Sequence, residues 1–350
     1  MDVTFVGYIG TSRSFGVSDN TFDLDHVREA TLVHEKADYD SVLIGYGAGS
    51  PDPTQVAAYA AHHSERIRFL IAHRPGLMYP TLAARLFASV DHFTEGRIDL
   101  NIVAGHSDAD QRREGDFLSK DERYVRSDEY VGIVKAAWTS TDPISHKGKY
   151  YEFEGYEPYV KPLQQPGVPI YISGSSPGAL GTAARYGDYH FFFGEPHSGT
   201  VELVSKVRKI ATDLGGDAPR FGVRFTLILG DTDEEAWDRA RRHVERLGPP
   251  GKPGDLVANT GAARLRQAAE AGELHDRALW MVAAGPWGGT LNALVGSPET
   301  VAEALLDYVR LGVTGFRVSG LDPFDDTRFI GRELIPRVRE GARGLNVHED

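Results

Sequence analysis

Two rhythms alternate along the chain. Short runs rich in β-branched and aromatic residues are followed by longer stretches in which apolar residues recur every three or four positions. The runs "VTFVGYIG" (3–10), "SVLIGYG" (41–47), "IRFLIAHRPG" (67–76) and "IDLNIVAG" (98–105) predict strands. So do "PIYISGSS" (169–176), "YHFFFGEP" (189–196), "RFGVRFTLILG" (220–230) and "GFRVSG" (315–320). Helical periodicity covers 24–39, 53–64, 79–96 and 121–140, the stretches after 176 and 196, a segment to about Leu247, then 297–312 and the chain from about Phe324. Asp23 stands where the first helix needs a cap. Continuous apolar strands separated by helices predict a parallel sheet covered on both faces, and eight such units predict a (β/α)8 TIM barrel. A doubly wound open sheet is the alternative; the missing GxGxxG turn after the first strand weighs against it.

Three stretches depart from this repeat, and one domain over 1–350 with insertions about 106–120, 144–160 and 248–292 is expected. "ISHKGKYYEFEGYEPYV" (144–160) alternates aromatic and polar residues around a "KGK" turn and predicts a hairpin. In 248–292 the pattern fails: "GPPGKPGD" and "AAGPWGGT" bracket an Ala-rich helix. In a barrel, the segments 106–120 and 248–292 overhang the C-terminal face where active sites sit, and 248–292 is the candidate lid.

Composition narrows the function. The 350 residues carry 38 basic and 50 acidic side chains, a net charge of −12, which argues against nucleic-acid and anionic-membrane partners. There is no cysteine, so thiol chemistry and disulfides are excluded. No 18-residue apolar run and no secretion signal in "MDVTFVGYIG" are found, so a cytoplasmic location is expected. No HExxH, EF-hand loop or P-loop occurs, and His62 and His63, adjacent on a helix, point to different faces; no metal is expected.

The stretch "YISGSSPGALGTAARYGD" (171–188) carries the first chemical signal. A strand turns through Gly174, Ser175 and Ser176 into a helix at Pro177. Small residues let an anion approach the backbone, and the helix start supplies oriented N–H groups. The same residues also suit an ordinary helix cap. At this stage both readings stand.

Across most of the chain the sequence resembles the bacterial luciferase-like, flavin-dependent monooxygenases, most closely the two-component alkanesulfonate monooxygenase branch. The matching stretches include "HRPGLMYPTLAARLFASVDHFTEGR" (73–97), "NIVAG" (101–105), "GDFLSKDERYVRSDEY" (115–130), "PLQQPGVPIYISGSSPGA" (162–179), "FFFGEP" (191–196), "RFGVRFTLI" (220–228) and "ALVGSPETVAE" (293–303), in family order. The resemblance implies a (β/α)8 barrel and FMN, used in reduced form and delivered by a separate, transiently bound flavin reductase. It implies O2 and a small organic molecule as substrates, and a homodimer or homotetramer. It places the FMN phosphate at Ser175 and Ser176, beside Gly174, with Arg123 and Tyr124 nearby; Lys120 stands where close relatives have a histidine, and a lysine still suits the phosphate as a point charge. Asn101 falls where the fourth strand contacts the flavin edge, and His73 at the third-strand end under the ring.

Around the substrate the family pattern changes. Arg224 matches an arginine on the seventh strand and is the candidate catalytic residue. A family histidine is Thr226 here, a cysteine falls on Pro51, a mobile-loop arginine near Trp287 and a tyrosine on Leu321. A buried sulfonate stripped of those partners costs several kcal/mol. A larger or less polar substrate facing Trp287 and Phe225 therefore stands beside an organosulfur or sulfonate-like one. Arg224 also suits a core arginine paired with a carboxylate, Arg123 a surface ion pair, and Glu195 a base or a loop anchor; His106 and Asp108 open the first overhanging loop. Two rival functions stay open: a deazaflavin-dependent hydride-transfer enzyme, and a non-catalytic flavin-binding protein.

Overall fold

A computed structural model describes residues 1–11, 22–105, 107–251, 259–285 and 289–345. The chain begins with β1 (Thr4–Ile9), α1 (Leu24–Lys36), β2 (Ser41–Ile44), α2 (Pro53–His62), β3 (Arg68–His73), α3 (Pro80–Phe93) and β4 (Ile98–Ile102). Then come α4 (Asp108–Arg113), α5 (Lys120–Thr139), the hairpin β5 (Ile144–Lys147) and β6 (Glu152–Tyr156), β7 (Ile170–Ser173), α6 (Pro177–Tyr186) and β8 (Tyr189–Phe193). Next are α7 (His197–Asp213), β9 (Arg220–Leu229), α8 (Asp233–Leu247) and α9 (Thr260–Ala271). The last part holds β10 (Leu274–His275), β11 (Leu279–Ala284), β12 (Gly289–Gly296), α10 (Pro298–Arg310), β13 (Val313–Ser319), α11 (Asp325–Phe329), a π-helical turn (Ile330–Leu334) and α12 (Ile335–Arg343).

The strands β1-β2-β3-β4-β7-β8-β9-β13 pair in parallel and the last closes on the first, making a (β/α)8 barrel. The reason is visible in burial. Every residue of β4 is buried, and in β3 only Arg68 is not fully so, because helices cover the outside and side chains fill the inside. Local chemistry fixes where the helices start. Asp23 caps α1 through the His26 amide (3.0 Å), Ser119 and Glu122 form a reciprocal capping box on α5, and Pro177 and Pro298 occupy first turns that need no donor.

The inward face is layered. Arg68 at one end pairs with Asp99 (2.6 Å) and also donates to Gln164. Above it Val6, Leu70, Tyr171 and Phe191 form an apolar plug, in which Tyr171 stacks on Tyr189 at 4.2 Å. Gly222 and Gly315 admit the Phe191 ring: a Cβ on either would lie 2.2 or 2.6 Å from it.

Over 248–292 the sequence shows no regular pattern. In the structure β11 and β12 form an antiparallel hairpin, and β12 runs parallel to β9 from Thr226↔Ala293 to Leu229↔Gly296. Since β8 pairs with β9 only from Arg220 to Arg224, the hairpin takes over the edge where β8 ends. Asn292 sits in this fork and donates to the carbonyls of Gly194 (3.0 Å) and Arg224 (2.9 Å). No helix among the described residues is long and apolar enough to cross a membrane.

Candidate active site

A cavity of about 280 Å³ opens at the carboxyl ends of the strands. One side of it is the notch where β7 passes into α6. Gly174 has φ +129°, a conformation that suits glycine, and its carbonyl accepts from the fully buried His190 at 2.8 Å. Burial pushes the His190 pKa down to about 4, so it holds that turn as a neutral imidazole. The two serines divide the readings that the sequence left open. Ser176 Oγ caps α6 by accepting from the Ala179 amide (3.3 Å), whereas Ser175 Oγ is buried without a partner among the described residues. A buried orphan hydroxyl beside a helix start is what an anion site offers.

The first turn of α5 and the start of α9 complete the notch. Tyr124 lies against the Ser176 hydroxyl; burial raises its phenol pKa, with Ser176 acting in the opposite sense. Lys120 Nζ donates to Thr260 Oγ1 at 2.6 Å, and burial lowers its pKa, with Arg123 adding to the effect. Asn259 caps α9 through the Ala262 amide (3.0 Å), and Asn259, Thr260 and Gly261 line the same cavity. Sequence reasoning treated this segment as a lid but did not assign these three residues. Their signal was a capping Asn before an Ala-rich helix.

Deeper in, Asn101 Oδ1 accepts from Ser173 Oγ at 2.8 Å, and both line the cavity. Leu43, Leu70, Phe191, Phe192 and Phe193 supply apolar surface. Arg224 and Arg317 project into the same space from neighbouring strands. Arg224 keeps free area, but that area faces the cavity, and the protein around it lowers its pKa. Arg317 was missed in the sequence. A repeated pattern could have found it: "GVRFT" (222–226) and "GFRVS" (315–319) share Gly-x-Arg-x-Thr/Ser.

The other residues singled out in the sequence fall in different places. His73 does not reach the cavity. Ala72 pairs with the inward Asn101, so His73, one residue on, points outward, where its Nε2 meets Tyr130 Oη at 2.7 Å. Arg123 touches the cavity, but its guanidinium is engaged: it donates to the carbonyls of Ala104 (3.0 Å) and Leu118 (2.7 Å) and to Asp108 (2.8 Å). Thr226 is not part of the lining, and Leu321 packs with the cluster that holds Trp280 and Val282. Phe225 faces outward against Gly194 and Tyr308. Glu195 is bound by Arg264. Trp287 and His106 lie outside the described residues.

Residues 4–315 match the family model described as luciferase-like monooxygenase. The fold is similar to that of a riboflavin lyase (RcaE), solved with modified FMN and its substrate riboflavin (TM-score 0.77, 19% identity, covering 100% of this chain and 94% of that one). It is also similar to a long-chain alkane monooxygenase, LadA (TM-score 0.76, 18% identity, 100% and 93% covered). A third similar structure is an F420-dependent secondary alcohol dehydrogenase with an F420-acetone adduct (TM-score 0.71, 18% identity, 97% and 99% covered). With its barrel closed and its family model matched along almost the whole length, the chain belongs to the luciferase-like monooxygenase family.

Proposed function

We propose that the protein is a reduced-FMN-dependent monooxygenase that transfers one oxygen atom from O2 to a small organic substrate. The observation that carries this reading is one cavity that joins an anion-ready notch to an arginine-bearing interior. The notch fits the FMN phosphate: Ser175 has an orphan buried hydroxyl, Gly174 clears the approach, and Tyr124, Lys120 and the start of α9 stand around it. Asn101 and Ser173 would meet the polar edge of the ring system. When bound, the reduced flavin supplies the two electrons that activate O2.

The chain's own residues do the rest. His190 and Ser176 fix the turn, and Arg123 holds the start of α5 to the end of β4. Arg224 is placed to stabilise negative charge on the oxygen being transferred or on the substrate. The segment carrying α9 closes one side of the cavity and excludes water. A separate reductase delivering the flavin, and a homodimer or homotetramer, belong to this proposal.

The test is equilibrium titration of the purified protein with FMN and with F420, followed by mixing the anaerobic, photoreduced FMN complex with oxygen. FMN binding that is lost in Ser175→Glu/Ser176→Glu supports the proposal. Preferential F420 binding, with hydride transfer, would replace it with the deazaflavin reading. FMN binding without oxygenation of any substrate in a panel of sulfonates, carboxylates and alkanes leaves the carrier reading.

A further inference from the structure

The barrel interior holds two arginines that the fold does not neutralise. Arg224 on β9 and Arg317 on β13 are register partners, so their backbones lie about 5 Å apart across the ladder. Both are inward: each stands two residues beyond a glycine, Gly222 or Gly315, over which Phe191 packs. Arg317 is 91% buried, since only 9% of it is exposed, and its Nε and Nη1 have no hydrogen-bond partner. The neighbours across their faces are neutral rings: Tyr8 for Arg317 at 5.0 Å, Phe193 for Arg224 at 5.4 Å.

Other buried arginines are treated differently. Arg74 pairs with Asp110 and Glu114, Arg123 with Asp108, and Arg126 with Asp116. Arg68, inside the opposite end of the barrel, pairs with Asp99. Among the described residues no carboxylate forms an ion pair with Arg224 or Arg317. Burial, with the neighbouring Arg224 charge adding to it, lowers Arg317 to about 9. A buried positive charge with a second one beside it, the second open to the cavity, and no described carboxylate paired with either, is costly unless something negative completes the pair.

We propose that Arg224 and Arg317 together form an anion seat, and that the substrate enters as an apolar body ending in a compact oxyanion held between the two guanidiniums. The seat is an added specificity determinant, and Arg317 is its new member. It rests on the reading of this cavity as the oxygenation site only for the identity of the ligand; the seat itself is a property of the apo protein. Paired N–H donors match a group with two or three terminal oxygens, such as a carboxylate, sulfonate or phosphonate. Leu43, Leu70 and Phe193 provide the surface for the apolar remainder. The shared chemistry is an anion; it comes either from the substrate or from the reduced flavin ring, and the two sources are separable.

The experiment titrates wild type, Arg317→Met, Arg317→Lys and Arg224→Met with inorganic sulfate at fixed ionic strength, by calorimetry and thermal melts, first without and then with saturating oxidised FMN, and titrates the same proteins with oxidised FMN and, anaerobically, with reduced FMN. Sulfate is expected to raise the wild-type Tm. Arg317→Met should weaken sulfate binding about tenfold to a hundredfold, the loss of one charged hydrogen-bonding partner. Arg317→Lys should recover part of that affinity. Without anion, Arg317→Met should melt above wild type, because it removes an uncompensated buried charge. Sulfate affinity unchanged within about twofold in Arg317→Met, with the variant folded, overturns the seat. Weakened binding of reduced but not oxidised FMN in Arg317→Met, with no sulfate bound to the wild-type protein once oxidised FMN fills the phosphate notch, assigns the anion to the flavin and overturns the substrate assignment. Failure of FMN to bind at all, with the sulfate results intact, sinks the monooxygenase reading and leaves the seat standing.

Discussion

Arg264, on the first turns of α9, grips Glu195 at the end of β8 with two nitrogens, at 2.8 and 2.9 Å from Nε and 2.8 Å from Nη2. Glu195 is almost fully buried, with 4% of its side chain exposed, and Arg264 also reaches Glu202. The pair ties the segment covering the cavity to the barrel. Arg264→Met leaves Glu195 buried and unpaired and is expected to cost about 3 kcal/mol in urea denaturation. Glu195→Gln/Arg264→Met should recover most of that stability while FMN affinity stays weakened, because the contact that docks α9 is gone. Equal FMN affinity in the double variant and wild type would show that this docking does not shape the site.

The serines of the notch should separate stability from binding. Ser176→Ala removes a helix cap and is expected to cost about 1 kcal/mol of stability. Ser175→Ala removes a hydroxyl with no protein partner, so its stability should match wild type while its FMN dissociation constant rises several-fold. Fluorescence titration and chemical denaturation of both variants read the two effects. Comparable destabilisation by both substitutions would contradict the division of roles.

Three buried histidines, His34, His73 and His190, have pKa values lowered by burial from 6.5 to about 4. In the unfolded chain each takes up a proton near pH 6.5; in the folded protein each resists until about pH 4. Stability is therefore fully present above pH 6.5 and is lost as pH falls toward 4, by up to about 1.4 kcal/mol per pH unit for each histidine. His190→Gln should reduce the slope of unfolding free energy against pH between 6.5 and 5. An unchanged slope would mean that His190 is charged in the native turn.

Gly222→Ala places a methyl where the Phe191 ring lies, 2.2 Å from Cζ. The ring is stiff and closely packed, so a loss of about 1–3 kcal/mol is expected. Adding Phe191→Leu should restore part of it. If the single variant unfolds at the wild-type urea midpoint, the layered interior is looser than described.

Much of this protein could be read from its residues. Strands such as "VTFVGYIG" and "SVLIGYG" are largely apolar on both faces, a composition that a covered parallel sheet favours, and turn and cap residues punctuate the repeat. The notch at 174–176 was legible because Gly, Ser and Pro each have one local reason to stand there. What escaped depends on parity and on distant partners. His73 and Ala72 differ only in which side of the wall they face, and a strand buried on both sides gives no alternation by which to tell. Arg317 looks like any strand arginine until its Nε and Nη1 are found buried with no hydrogen-bond partner among the described residues. The β11–β12 hairpin was hidden by its flanking glycines and prolines, and its second strand is stabilised by β9, far away in sequence.

Strand β9 is paired on both edges at Arg224, with Phe193 of β8 on one side and Arg317 of β13 on the other, and β12 takes over the first edge from Thr226 onward. The wall that carries Arg224 is thus a fixed jaw. On the proposed function, a guest is expected to adapt its own shape to that wall, and ligands should be sorted there by fit.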